Sequence, residues 1–211
     1  LARRARVGAG AAADIAIAGL SFCPGKGARF STYEAKAPFF DPAADDAANY
    51  GSIGAVIGHE VSHGFDNLGS EFDAEGRLRN WWTPEDAAHF KAATDKLVAQ
   101  YDAYEALPGL HLSGKQTLGE NIADVAGLQA AYTAYHKSLG GKEAPVIDGM
   151  TGDERFFLAF AQAWRAKQRD AALRAQVVGD GHAPARWRAL TVRNIDAWYS
   201  TFKVAEGETL Y

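Results

Sequence analysis

Gly58-His59-Glu60-Val61-Ser62-His63 carries an H-E-x-x-H motif inside a run that reads as a helix. Four residues is slightly more than one helical turn, so His59 and His63 project from one face and can grip a single metal ion. Glu60 sits one step round the helix, where its carboxylate reaches a water on the metal without becoming a ligand. Two imidazoles and a carboxylate suit Zn²⁺, which brings the pKa of its bound water to about 7. The spacing therefore predicts a metal site that activates water, with Glu60 as general base. The competing reading is a buried helix whose histidines are simply hydrogen-bonded. Ile53, Val56 and Ile57, spaced i, i+3, i+4, predict a buried stripe leading into the motif. Burying two histidines and a glutamate on such a helix costs free energy unless something satisfies them. A metal would do so.

Further along, Gly119-Glu120-Asn121-Ile122-Ala123-Asp124 opens an apolar run through Leu128, Ala131 and Tyr135. Catalytic zinc takes three protein ligands and keeps one position open. Glu120 is the candidate third ligand. Asp124 lies at i+4 from it, on the same helical face. Ligating histidines usually donate their second ring N–H to a carboxylate, and Asp124 is the candidate partner behind His59. The alternative makes Thr117 and Glu120 a T-x-x-E capping box, which leaves Asp124 unexplained.

The paired motifs G-H-E-x-x-H-G-F-D and G-E-N-I-A-D resemble the neprilysin-like zinc metallopeptidases, a family with endothelin-converting enzymes and bacterial oligopeptidases. The resemblance runs from about residue 37 to the end. It takes in Pro38-Phe39-Phe40, Asn49-Tyr50-Gly51, Asn80-Trp81-Trp82-Thr83, Phe160-Ala161-Gln162-Ala163-Trp164 and Gly179-Asp180-Gly181-His182-Ala183-Pro184, with Arg188 following. It implies a mainly α fold with a small β component, the thermolysin-like zincin (gluzincin) catalytic lobe, incomplete here. Residues 37–211 would be the catalytic domain, cut short at its C-terminus and without the helical lid. Residues 1–36 would be an atypical segment without the family's substrate-binding Asn-Ala-x-x-Tyr strand. Carried over by position, the zinc ligands are His59, His63 and Glu120, with one Zn²⁺ per chain and Glu60 as the catalytic base. Asp124 partners a ligand histidine, His182 stabilises the oxyanion, and Arg188 binds a substrate carbonyl. Phe39, Val56 and Trp164 match an apolar pocket for the residue just after the cleaved bond. The implied activity is zinc-dependent endopeptidase action on oligopeptides, on the amino side of bulky hydrophobic residues. The alternative is a catalytically weak fragment that keeps a zinc-binding fold. A zinc aminopeptidase would need a feature that recognises a free amino terminus, and none is apparent.

The residues also speak for themselves at two of these positions. Peptide hydrolysis develops negative charge on the carbonyl oxygen, where one positioned donor is commonly worth about 2.7–4 kcal/mol. Asp180 could orient the His182 imidazole and keep it charged, and Arg188 offers a planar, permanently charged fork.

The 211 residues are 47% hydrophobic and 23% charged, as in an ordinary globular domain, and a net charge of −4 argues against a nucleic-acid surface. No transmembrane segment is apparent, and oligomeric state is not legible. Cys23 is the single cysteine, so no internal disulfide can form. Animal members of the family are rich in disulfides, which favours a bacterial-type enzyme. The resemblance suggests an extracytoplasmic location, with the cytoplasm as the alternative. Residues 1–23 superficially resemble a leader, but Asp14 interrupts the apolar stretch. Thr83-Pro84-Glu85-Asp86 predicts a helix start, continued by Phe90, Leu97, Tyr101 and Tyr104 for about twenty residues. Phe72 and Leu78 predict a short hairpin. Phe156, Phe157, Phe160 and Trp164 form an aromatic helix face, and a last helix runs through Ile195, Trp198 and Phe202.

Overall fold

The computed structural model describes residues 21–23, 27–29 and 39–211. The expectations placed on residues 1–20 and on the side chains up to residue 38 lie outside the described residues. Within them the chain is dominated by helices: α1 (Asp46–Asn49), α2 (Ala55–Ser62), α3 (Pro84–Asp102), α4 (Leu118–Ser138), α5 (Gly152–Ala163), α6 (Asp170–Gly179), α7 (Ala185–Ala189) and α8 (Asp196–Phe202). Two short antiparallel pairs complete it, β1 (Ser21–Cys23) with β2 (Gly27–Arg29), and β3 (Glu105–Leu107) with β4 (Leu110–His111).

Helices α1 and α2 are one continuous rod interrupted by a wide π-helical turn, Tyr50–Gly54. Such turns are rare and concentrate at functional sites. The turn explains why the predicted stripe is broken. Ile53 lies inside it and is buried, whereas Val56 and Ile57 are only half-buried, because i+3 spacing across a wide turn no longer keeps one face.

The rod packs across α4, the longest helix. Gly58 and Gly127 meet at the crossing, where a Cβ on Gly58 would overlap the Gly127 carbonyl and a Cβ on Gly127 would overlap the His59 backbone nitrogen. Beneath the crossing lies the main core, in which Leu128, Ala131 and Tyr135 of α4 meet Phe156, Phe157 and Phe160 of α5. Tyr135 stacks on Phe156 at 5.9 Å between ring centres. Each fully buried residue of this size contributes roughly 1.5–3 kcal/mol. Ile195 and Trp198 seal the same core, while Phe202, at the end of α8, remains 36% exposed. A second cluster joins Tyr101, Leu112, Val177, Ala183 and Trp187, and so ties α3, α6 and α7 together.

The helix ends follow their local chemistry. Thr83 caps α3 by accepting from the Asp86 N–H, with Pro84 in the first turn. Thr151 and Glu154 cap α5 reciprocally. Arg155, almost fully buried, donates to the carbonyls of Pro145 and Met150 and pairs with Asp45 at 3.2 Å; Asp45 is the cap of α1. The start of the rod is thereby clamped to α5. The predicted hairpin is a single antiparallel bridge, Phe72 to Leu78, with the Asp73 carboxylate accepting from the Glu75 and Arg77 N–H groups.

Candidate metal and catalytic site

His59 on α2 and His63, the residue that caps its C-terminal end, are one turn apart, and their rings meet edge to face at 86°. On α4, Glu120 and Asp124 are also one turn apart. The glycine crossing brings the two pairs together. His59 Nε2 lies 3.0 Å from His63 Nε2, and the Glu120 carboxylate lies 3.2 Å from the first and 3.6 Å from the second. One ligand atom from each of the three residues lies within 4.8 Å of the others.

The opposite ring nitrogens are occupied. His59 Nδ1 is 2.7 Å from Asp124 Oδ1, and His63 Nδ1 is 2.6 Å from Asp66 Oδ2. A carboxylate only accepts, so each Nδ1 must carry the proton. In the neutral tautomers both Nε2 lone pairs then point at one another, with Glu120 beside them. Glu120 Oε2 is buried, within ion-pair reach of two imidazoles yet aligned for a hydrogen bond with neither. Converging lone pairs and a carboxylate repel unless a cation stands among them. A proton can serve, and the surroundings favour one: burial opposes a charged His59, but Asp124 and Glu120 outweigh it and push its pKa up to about 9. A borderline-soft divalent cation with two imidazoles and a carboxylate fits the same donor set better, and would release that proton on binding.

Asp66 was not singled out by sequence reasoning, although it stands within the quoted H-G-F-D. Its signal was the i+3 spacing from His63. Its other oxygen accepts the backbone N–H groups of Leu68 and Gly69 at 2.7 Å each, so the carboxylate is fixed from both sides. Burial would raise its pKa, but His63 and these two amides hold it below the usual carboxylate range.

Asp124 is fully buried and binds two partners. Arg188 grips it with a two-pronged contact, Nε to Oδ2 at 2.9 Å and Nη2 to Oδ1 at 2.7 Å, and the Arg188 guanidinium lies 4.0 Å over the Trp164 ring. Burial alone would raise the Asp124 carboxyl; Arg188 and His59 hold it down. The fork predicted for a substrate carbonyl is thus engaged with Asp124, while Arg188 also lines the adjoining cavity.

His182 sits on the loop between α6 and α7, half-exposed, with Nδ1 2.8 Å from Asp180 and Nε2 3.1 Å from Glu120. Glu120 and Asp180 raise its pKa, while burial opposes this. Gln116 donates to the Asp180 carbonyl at 2.5 Å and ties this loop to the approach to α4, a role with no sequence signal. The Glu120 carboxyl, which burial would raise, is held well below the usual carboxylate range by His182 and His59. The capping-box alternative fails, because the Thr117 side chain makes no cap bond and Glu120 turns toward the histidines.

Beside the cluster is a cavity of about 260 Å³ that brings together Glu60, His59, His182 and Arg188 with Phe39, Val56, Phe160 and Trp164. One wall is therefore polar and titratable, the other apolar. All ten residues predicted for the site border the histidine cluster or this cavity.

Two helices crossed on glycine, presenting H-E-x-x-H against E-x-x-x-D, define a zincin-type catalytic lobe. The family model described as Peptidase family M13 matches residues 30–211, and the chain belongs to this family. It is 41% identical over 157 residues to endothelin-converting enzyme 1 of Cavia porcellus, covering 73% of this chain and 21% of that protein. The Mycobacterium tuberculosis zinc metalloprotease Zmp1, solved with an inhibitor, superposes with a TM-score of 0.87 at 45% identity, over 91% of this chain and 30% of that one. PepO from Lactobacillus rhamnosis HN001 gives 0.76 at 34% identity, over 87% and 28%. The chain spans about a fifth of the length of the curated relatives it matches. Among the described residues no helix is long and apolar enough to cross a membrane.

Proposed function

We propose that the chain carries the catalytic site of a zinc endopeptidase that cleaves oligopeptides on the amino side of bulky hydrophobic residues. The observation that carries this reading is the convergence of two Nε2 lone pairs and the Glu120 carboxylate, beside a cavity holding Glu60. Zinc held by His59, His63 and Glu120 would supply Lewis acidity and bring a water's pKa to about 7. Asp124 and Asp66 keep the protons on Nδ1, so that both Nε2 atoms stay available as ligands. Glu60, next to His59 yet outside the ligand set, takes the proton from the attacking water and returns it to the leaving amine. His182, kept charged by Asp180 and Glu120, donates to the carbonyl oxygen as negative charge develops there. Arg188 holds Asp124 in place and adds positive charge at the cavity edge. Phe39, Val56 and Trp164 offer an apolar wall for the side chain after the scissile bond.

The test pairs metal content with turnover: zinc per chain by atomic absorption, and hydrolysis of short peptides with Phe or Leu against Gly or Asp after the cleaved bond. One zinc per chain with cleavage before Phe or Leu is the expected result. Absence of zinc would overturn the reading. The second reading, a zinc-binding lobe with little turnover of its own, draws on the Arg188 fork, which is engaged with Asp124. It is favoured by full zinc occupancy without cleavage.

A further inference from the structure

The indole of Trp164 stands at the C-terminal end of α5 and lines the cavity beside the histidines. Buried tryptophan N–H groups usually find an acceptor. That of Trp164 is buried and has none among the described residues. Among the described residues, Phe160 meets the ring edge-on at 6.2 Å and the Arg188 guanidinium lies over its face at 4.0 Å. A guanidinium is drawn to an indole face by the ring quadrupole, more strongly when both are withdrawn from water. The Arg188 side chain is only 12% exposed. The same guanidinium grips both oxygens of Asp124, which takes the Nδ1 proton of His59. Trp164 is thus the outer end of a chain of contacts whose inner end is the His59 ring facing His63 and Glu120.

We infer that Trp164 is a positioning residue for the metal, acting through Arg188 and Asp124 on His59, in addition to forming a wall of the cavity. Arginine is a long side chain with several rotatable bonds, and a two-pronged grip on Asp124 requires its plane to be fixed. The indole face fixes that plane. Without it the fork turns, Asp124 loses one of its contacts, and the His59 ring is held less firmly in ligand geometry. The inference rests on the zinc reading above.

The test compares zinc Kd, by competition with a chromogenic chelator, for the purified wild type and a set of variants. Trp164→Leu removes the π face and keeps an apolar side chain, Trp164→Phe keeps a face, and Phe39→Leu alters the same cavity outside the chain of contacts. Trp164→Leu should weaken zinc about tenfold, the lower end of what groups behind a ligand contribute. Trp164→Phe should recover most of the loss, and Phe39→Leu should match the wild type. Adding Trp164→Leu to Asp124→Asn should cost nothing further, because the chain is already cut. Wild-type affinity in Trp164→Leu, or an equal loss in Phe39→Leu, overturns the inference and leaves the zinc reading intact. A wild-type protein that takes up no zinc overturns both. Trp164→Met supplies the same comparison if the leucine variant does not fold.

Discussion

Gly58 and Gly127 face each other where α2 crosses α4, and neither position has room for a methyl group. The contact involves backbone on both sides, including the nitrogen of His59 itself. Because the two backbones touch, the short carboxylate side chains of α4 reach ring nitrogens of α2 directly, at 2.7 Å for Asp124 and 3.2 Å for Glu120. A wider crossing would leave those carboxylates short of the histidines.

Gly127→Ala should accordingly lower both stability and metal occupancy. Overpacking a tight contact typically costs about 1–3 kcal/mol, and here the displaced group is the backbone of a ligand residue. Chemical denaturation and zinc stoichiometry check this together. A variant with wild-type stability and full zinc would mean that the helices separate without consequence.

Asp124→Asn should weaken zinc by roughly 10–100-fold through the loss of the carboxylate behind His59. It also leaves the Arg188 charge buried without its partner, a change that typically destabilises by about 3–5 kcal/mol. Unchanged metal affinity in a folded variant would count against the role assigned to Asp124.

Asp66→Asn should separate ligand support from folding. One amide oxygen can still accept from Leu68 and Gly69, while the amide N–H₂ replaces the oxygen that faces His63. Zinc affinity should fall on the order of 10–100-fold with the melting temperature of the metal-free protein little changed. An equal loss of Tm and no loss of affinity would make Asp66 a loop-capping residue only.

Glu60→Gln keeps shape and removes the base, so zinc should remain at one per chain while peptide hydrolysis disappears. If zinc leaves together with activity, Glu60 belongs to the structure of the site and not to its chemistry.

His182→Phe should lower kcat by roughly 10²–10³-fold with KM nearly unchanged, because an oxyanion donor meets charge that forms only after attack. A raised KM with intact kcat would make His182 a binding or loop-packing group.

The histidine pair and its carboxylate partners were legible because helical periodicity converts spacing directly into shared faces: His59 with His63, Glu120 with Asp124. What periodicity cannot express is the distance between two helices. Gly58 and Gly127 look like ordinary glycines until the partner backbone is present. The wide turn at Tyr50–Gly54 leaves no mark in residue spacing, which therefore predicts a buried Val56 and Ile57 where the structure has them half-buried. Thr117 and Glu120 satisfied a capping pattern that lost to the histidines, a tertiary contact outweighing a local one. Arg188 was legible as a charged fork, but its engagement with Asp124 depends on where α7 packs. Asp66 has a signal in its i+3 spacing from His63, but only the folded chain shows its carboxylate turned to that ring.

The five residues of that wide turn also act as a phase shifter. Each residue of an α-helix advances the side chains by about 100°, so a turn that absorbs one more residue than usual resets which face the following residues present. The front of the rod is oriented by the Asp45–Arg155 clamp, and its rear by the glycine crossing. The irregular turn frees each end to satisfy its own neighbour, so α4 sets the direction of His59 while Asp66 holds the His63 ring.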